Sequence, residues 1–243
     1  GVDKVMIDLN GKLRLHPDFA FRVEHMGAEQ APVLVIDQFL ADAQILVDYA
    51  AAHARFAPDA DGFYPGVRAP APPIYSFTVR AFLAEIIGAA FGLGASRVVR
   101  ELSSFSLVTT RPDDLHLLQR LPHFDNTNDR QLALLHYLCP ASDGGTSFYR
   151  HRKTGFESIR PHRLSDYGRA LDSELASLGV PAPRYIVGDT EQFERIGRFE
   201  AGFNRMLVYR SITLHSADIA PTFEGRDDPR SGRLTANTFF YYA

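Results

Sequence analysis

The second half of the chain is a series of short apolar segments, and this feature constrains the fold more than any other. The segments are rich in β-branched and aromatic residues, and loops rich in Gly, Asp and Pro separate them. One predicted helix, at about 165–178 with Ser165 as a possible N-cap, interrupts them. A parallel sheet needs a helix between most strands, so a sandwich or barrel is favoured. The predicted strands are 97–110, 131–140, 146–151, 206–211, 213–219 and 233–242.

The first part of the chain has a different pattern. A short β-branched strand at 33–36 precedes two segments with apolar residues at helical spacing, 41–54 and 74–92. The Pro-rich segment 65–73 between the helices is predicted to be a loop. We expect the two helices to cover one face of a sheet.

Length and composition are those of an ordinary globular protein, and 243 residues fit one large domain or two small ones. The 243 residues are predicted to form a single domain, in which 1–96 supply an N-terminal strand and supporting helices and 97–243 form the β core. The apolar fraction of 45% and the charged fraction of 23% are typical of soluble proteins. A net charge of −3 gives no indication of a nucleic-acid partner.

Other sequence features exclude some classes of protein. No segment has the roughly 18 apolar residues of a membrane helix. The N-terminus has no signal-peptide hydrophobic region, so a cytoplasmic location is expected by default. The single cysteine, Cys139, lies in an apolar run. It excludes an intramolecular disulfide and a Cys-rich zinc site.

The segment PHFDNTND, residues 122–129, contains a candidate metal-binding pair. His123 and Asp125 are two residues apart, so on an extended strand their side chains point to the same side. With one distant histidine they form a facial triad that leaves three positions open, as an iron(II) oxygenase requires. However, the chain has nine histidines, so one chance His-x-Asp is expected, and an exposed turn would look the same.

Two further residues extend this pattern. His215 follows two apolar runs, whereas the other histidines lie far away in sequence, in polar loops or, for His136, beside Tyr137 on a predicted strand. Arg233 begins the last predicted strand, and a planar guanidinium pairs with a carboxylate through two hydrogen bonds. For each residue alone the ordinary explanation is favoured, which is a surface or hydrogen-bonded core histidine for His215 and an arginine at a strand end for Arg233.

Taken in chain order, five segments that include these residues resemble the motifs of the 2-oxoglutarate- and iron(II)-dependent dioxygenases, most closely those of the prolyl-4-hydroxylase-like branch. The resemblance covers about 97–243, with a looser match over 33–46. The matching segments are HFD (123–125), RQLALLHYL (130–138), GGTSFY (144–149), MLVYRSITLH (206–215) and GRLTANTFF (232–240).

The resemblance implies a fold, a set of cofactors and a reaction. The fold is a double-stranded β-helix, a distorted jelly roll related to the cupin barrel, with helices on one side. His123, Asp125 and His215 would bind iron(II). Arg233 and the Tyr137 hydroxyl would bind the far carboxylate of 2-oxoglutarate, the co-substrate used with O₂. The implied reaction is hydroxylation of a small-molecule or peptide substrate.

The sequence also departs from the family pattern. His215 and Arg233 are 18 residues apart, which is longer than is common in the family. The extra length falls in 221–231, so Arg226 and Arg230 are alternatives to Arg233. The segment 152–200 has no counterpart in this interpretation.

Two other functions fit the same residues. A cupin-like metal enzyme without a 2-oxo acid could present the same ligands. A non-enzymatic jelly-roll binding domain could contain HFD only as the opening of a turn.

Several residues near these segments are candidates for substrate contact. Phe63, Tyr64 and Arg68 lie in or beside the Pro-rich loop and could form an entrance. Asn126 and Asn128 follow the HxD motif. The run 149–153 is predicted to be a solvated basic loop, although an anion-binding role is the alternative.

Overall fold

A computed structural model of the protein describes residues 6–243, which form strands, α-helices and short 3-10 helices. The strands are β1 Ala20–Met26, β2 Ala31–Asp37, β3 Ala57–Pro58, β4 Gly66–Pro70, β5 Val98–Val108, β6 Gln131–Tyr137, β7 Thr146–His151, β8 Phe193–Phe199, β9 Met206–Arg210, β10 His215–Ala217 and β11 Leu234–Tyr242. The α-helices are α1 Gln44–His53, α2 Pro73–Ala90 and α3 Pro161–Leu178. The 3-10 helices are Pro112–Asp114, Leu117–Arg120 and Ala141–Asp143.

The strands form two antiparallel sheets. The larger sheet has eight strands in the order β1-β2-β9-β6-β11-β5-β4-β3, and the smaller has three in the order β10-β7-β8. Every strand pair in both sheets is antiparallel. The prediction of a mainly β protein with few helices is therefore confirmed. Within the described residues, no helix combines the length and apolar character needed to cross a bilayer.

The two faces of the large sheet are both apolar but have different partners. Alternate residues such as Leu34, Leu134 and Phe240 pack against α1 and α2. Their neighbours in sequence point to the opposite face, because side chains alternate along a strand. There Val35 and Leu135 pack with residues of the small sheet, among them Phe148 and Phe199. The two helices thus cover one face of the sheet, as expected, and the small sheet covers part of the other.

The prediction of a loop at 65–73 is wrong. Within this segment β4 pairs with β5 in a register that places Val67 opposite Leu107. Pro65 and Pro70 lie before and at the end of β4, so they disturb the pairing little. Gly66 is required at the start of β4, since a Cβ atom there would lie 1.9 Å from the Leu107 carbonyl oxygen.

Other boundaries also differ from the sequence predictions. Ser165 is not the N-cap of α3, because the helix begins at Pro161, whose fixed φ suits the first helical position. The predicted strand 213–219 is reduced to β10. The segment 152–200, which had no assignment, contains all of α3 and then β8, which pairs with β7.

Candidate metal centre and its cavity

Backbone hydrogen bonds bring the HxD segment against β10. The amide of His123 donates to the His215 carbonyl at 2.9 Å, and the amide of His215 donates to the His123 carbonyl at 2.9 Å. Residues that exchange both bonds in this way project their side chains to the same side. The two imidazole rings accordingly lie 4.2 Å apart. The amide of Asp125 donates to the Ser211 carbonyl at 2.8 Å, which fixes the third residue.

The three predicted ligands are brought together. Their ligand atoms lie within 4.8 Å of one another, with each imidazole Nε2 atom 3.5 Å from a different oxygen of Asp125. The Nδ1 atom of His215 is 2.7 Å from the Thr213 carbonyl oxygen, which can only accept, so Nδ1 carries the proton. The lone pair of Nε2 is therefore directed towards Asp125 and is available to a metal. These residues fit a divalent ion such as iron(II).

The electrostatics of the site favour the protonation states that a metal requires. Burial lowers the pKa of His215 to about 4, and nearby His123 adds to this effect. Partial loss of solvent around the carboxylate would by itself raise the pKa of Asp125, but the adjacent His215 and His123 outweigh this effect and the pKa is lowered. At neutral pH the site therefore presents a neutral His215 imidazole and a carboxylate, both competent ligands.

The three residues line a cavity of 390 Å³, which is within the size range of small-molecule sites. Both sheets and the loops beside them contribute to its walls. Besides the three residues and Arg233, the lining includes Asp59, Asp61, Phe63, Tyr64, Arg68, Asn126, Gln131, Ala133, Leu135, Thr146, Tyr185, Tyr209, Asn237, Phe239 and Tyr241.

Arg233 lies on the cavity wall immediately before β11. Its side chain is buried, its Nε atom donates to the Gly144 carbonyl at 3.1 Å, and its Nη2 atom donates to the Gly145 carbonyl at 3.2 Å. Within the described chain it makes no ion pair. A buried guanidinium that two carbonyl groups hold in place, without a carboxylate partner among the described residues, is suited to bind a carboxylate.

The structure distinguishes Arg233 from its two alternatives. Arg226 is exposed and lies 3.4 Å from Glu224. Arg230 is exposed and pairs with Asp48 on α1. Neither residue lines the cavity, whereas Arg233 does.

Tyr137, the other residue predicted to contact 2-oxoglutarate, lies beneath the cavity surface. Its hydroxyl is 2.6 Å from the Thr146 hydroxyl, and its ring centroid is 5.8 Å from the Arg233 guanidinium carbon. Burial raises the pKa of Tyr137 to about 12, so the hydroxyl is protonated at neutral pH. Thr146, which the sequence did not single out, lines the cavity itself. The role predicted for Tyr137 stays a prediction.

The residues suggested as an entrance all lie on the cavity wall. The ring of Phe63 is 5.3 Å from that of His123, and the guanidinium of Arg68 stacks over Tyr64 at 4.0 Å. The sequence did not single out Tyr209, whose ring is 4.8 Å from that of His215. This residue lies on β9, which is apolar on both faces, so the pattern does not show which side chains face a cavity.

The run 149–153 is not a solvated loop throughout. Tyr149 and His151 are fully buried. Arg150 pairs with Glu157 and Glu194, at 2.7 Å each. No residue of this run lines the cavity.

Fold and site together define a mainly β protein with a cavity that holds two histidines, an aspartate and a buried arginine. The chain belongs to DUF6445, a family of unknown function, whose match covers residues 17–240. No curated protein matches the sequence.

Several solved structures resemble the chain at low sequence identity. The non-heme alpha ketoglutarate dependent epimerase SnoN from nogalamycin biosynthesis is 15% identical, with a TM-score of 0.44, over 80% of this chain and 69% of SnoN. HygX from Streptomyces hygroscopicus, with nickel, 2-oxoglutarate and hygromycin B bound, is 14% identical, with a TM-score of 0.45, over 88% and 84%. EctD from S. alaskensis, with bound Fe, is 14% identical, with a TM-score of 0.41, over 95% and 83%. At such low scores, the function of this chain has to be argued from its own residues.

Proposed function

We propose that the protein is an iron(II)- and 2-oxoglutarate-dependent oxygenase that hydroxylates a small-molecule or peptide substrate on a double-stranded β-helix. The observation that supports this most is the placement of His123, Asp125, His215 and the buried Arg233 on the wall of one cavity. Two imidazole ligands and one carboxylate leave half of an octahedral coordination sphere open.

Each residue has a defined part in this proposal. His123, Asp125 and His215 would hold iron(II), which together with 2-oxoglutarate and O₂ supplies the oxidation of an unreactive C–H bond. Arg233 binds the far carboxylate of 2-oxoglutarate, and the Thr146 hydroxyl, positioned by Tyr137, lies on the same wall. The rings of Phe63 and Tyr209 flank the histidines and limit the access of water.

Arg233 favours this activity over that of a metal enzyme that uses no 2-oxo acid. A cation is expensive to bury without a counter-ion, and the described residues offer Arg233 two carbonyls and an aromatic ring but no carboxylate, which favours an anion as its ligand. A cupin-like enzyme that uses no 2-oxo acid has no evident use for this buried arginine.

Anaerobic calorimetric titration with Fe(II) tests the metal centre. We expect the wild-type protein to bind one ion per chain, and His123→Ala and Asp125→Ala to lower the affinity by at least about a hundredfold, because each removes a ligand. His162→Ala is the control, since His162 is exposed on α3. The proposal would be contradicted if the wild-type protein did not bind Fe(II), or if the two ligand variants bound it as tightly as the wild type.

A further inference from the structure

The cavity extends beyond the metal centre along β6. Gln131, Ala133 and Leu135 alternate along this strand and all line the cavity. Ala133 lies opposite Tyr209, which contacts His215. The side chain of Gln131 is therefore one same-side step along β6 from Ala133, the residue opposite Tyr209.

Gln131 has an unsatisfied polar atom in this wall. The residue is 3% exposed, and its Oε1 atom is buried without a hydrogen-bond partner among the described residues. A buried carbonyl without a donor is unfavourable, and native proteins leave few of them. A donor from a bound ligand would satisfy it.

Asn126 supplies the complementary group close by. The backbone of Ser211 connects the two residues: its amide donates to the Gln131 carbonyl at 2.9 Å, and its carbonyl accepts from the Asn126 amide at 3.4 Å. The Asn126 Oδ1 atom accepts from the backbone amide of Asn128 at 2.9 Å. Because this bond engages the oxygen, the Asn126 Nδ2 group is the one left to donate into the cavity.

The remaining polar groups of this region carry little net charge. Arg68 and Asp59 neutralise each other at 2.8 Å, and Asp61 is exposed at the mouth, where it accepts from the backbone amide of Phe63. Asn237 adds another neutral amide, oriented by the Thr235 hydroxyl at 2.7 Å. A wall with neutral donors and acceptors fits a neutral polar ligand better than an ion.

We infer that Gln131 and Asn126 bind the primary substrate, and that this substrate is a neutral molecule with a hydroxyl or carboxamide group. The group donates to Oε1 of Gln131 and accepts from Nδ2 of Asn126. This inference rests on the proposed oxygenase function, since it assigns the substrate end of the same cavity.

Nuclear magnetic resonance with three small probes tests the inference. Propionamide, propionate and propylammonium have similar size but are neutral, anionic and cationic. The protein is labelled with ¹⁵N at the Gln and Asn side chains, loaded with Zn(II) and 2-oxoglutarate, and titrated with each probe. We expect propionamide to shift the side-chain amide signals of Gln131 and Asn126, with an affinity at least about tenfold above those of the two ions.

Substitutions at Gln131 make the test specific. Gln131→Met, similar in size but without the amide, should weaken propionamide binding by about tenfold. Gln131→Glu, which keeps the shape, should change the preference to propylammonium. Asn128→Asp should leave probe binding unchanged, because Asn128 caps a similar turn but does not line the cavity.

The outcomes separate this inference from the proposed function. If the protein takes up the metal and 2-oxoglutarate but propionate binds best, or Gln131→Met and Gln131→Glu bind the probes like the wild type, the inference is wrong and the oxygenase proposal stands. If propionamide shifts the two amide signals but no metal binds, the neutral subsite stands and the oxygenase proposal is wrong.

Discussion

Arg233 shows how the backbone of this protein positions a single side chain at the cavity. Two consecutive glycine carbonyls hold its guanidinium at the cavity wall. Gly145 must be a glycine there, because a Cβ atom would lie 1.9 Å from the Phe199 carbonyl oxygen. Gly144 adopts a φ of 96°, which L side chains rarely adopt. The glycine pair between β6 and β7 therefore positions the arginine that the proposed function requires.

His136 is a buried residue with a structural role on the face of β6 that points away from the cavity. Its Nδ1 atom is 2.8 Å from the Tyr75 hydroxyl, and its Nε2 atom is 3.0 Å from Oδ1 of Asn204. The neutral ring satisfies both partners, since Tyr75 donates to Nδ1 and Nε2 donates to Asn204. These bonds connect α2, β6 and the turn before β9.

This histidine predicts a pH dependence of stability. Burial lowers the pKa of His136 from 6.5 to about 4, so protonation opposes folding. The stabilisation is present above pH 6.5 and is lost as the pH falls from 6.5 towards 4, by up to about 3 kcal/mol. Urea unfolding at a series of pH values should show this slope in the wild type and in the exposed control His162→Gln, but a smaller one in His136→Gln. An equal slope in all three proteins would contradict this prediction.

Among the secondary-structure elements, α3 is attached to the small sheet through a buried polar pair. His151 at the end of β7 contacts Glu174 of α3 through Nε2 and the Thr154 hydroxyl through Nδ1. Both side chains of the His151–Glu174 pair are buried. The helix also packs Tyr167 against His151, edge to face.

Removal of this pair should destabilise the protein strongly. We expect Glu174→Ala to lower the free energy of unfolding by about 3 kcal/mol, because it leaves a buried imidazole without its partner. Asp166→Ala removes an exposed ion pair with Arg169 on the same helix and should cost less than about 0.5 kcal/mol. Urea denaturation of both variants measures the difference, and comparable losses would show that α3 does not depend on this contact.

The elements that sequence patterns predicted best were those with one apolar face or one clear boundary. The helix predicted at 74–92 corresponds to α2, and the last predicted strand corresponds to β11. By contrast, β4 was hidden by Pro65 immediately before it and Pro70 at its end, since proline is usually a sign of a loop. The strand β8 was hidden because its middle residues are only partly buried.

At the scale of the whole molecule, the site depends on long-range pairing that sequence alone does not give. HxD precedes β6 and His215 opens β10, and they meet only because the backbone of His123 pairs with that of His215. The motif order predicted the three candidate ligands, and the structure brings these residues together. Gln131 on β6 and Tyr209 on β9 could not be predicted, because both strands are buried on both faces and their sequences do not show which residues face the cavity.

The chain's N-terminal part is built into the same sheet as its C-terminal part. β2 lies between β1 and β9, and β11 lies between β5 and β6. Residues 1–96, for which the sequence predicted one strand and supporting helices, supply four strands of the large sheet.

Anaerobic visible spectroscopy of the protein with Fe(II) and 2-oxoglutarate tests the central proposal most directly. We expect a weak charge-transfer band that requires both ligands and is absent in Asp125→Ala. Arg233→Gln should need about a hundredfold more 2-oxoglutarate for the same band, whereas the exposed control Arg230→Gln should behave as the wild type. If neither iron nor 2-oxoglutarate binds the purified protein, or if the band is unchanged in Asp125→Ala, the oxygenase proposal is wrong.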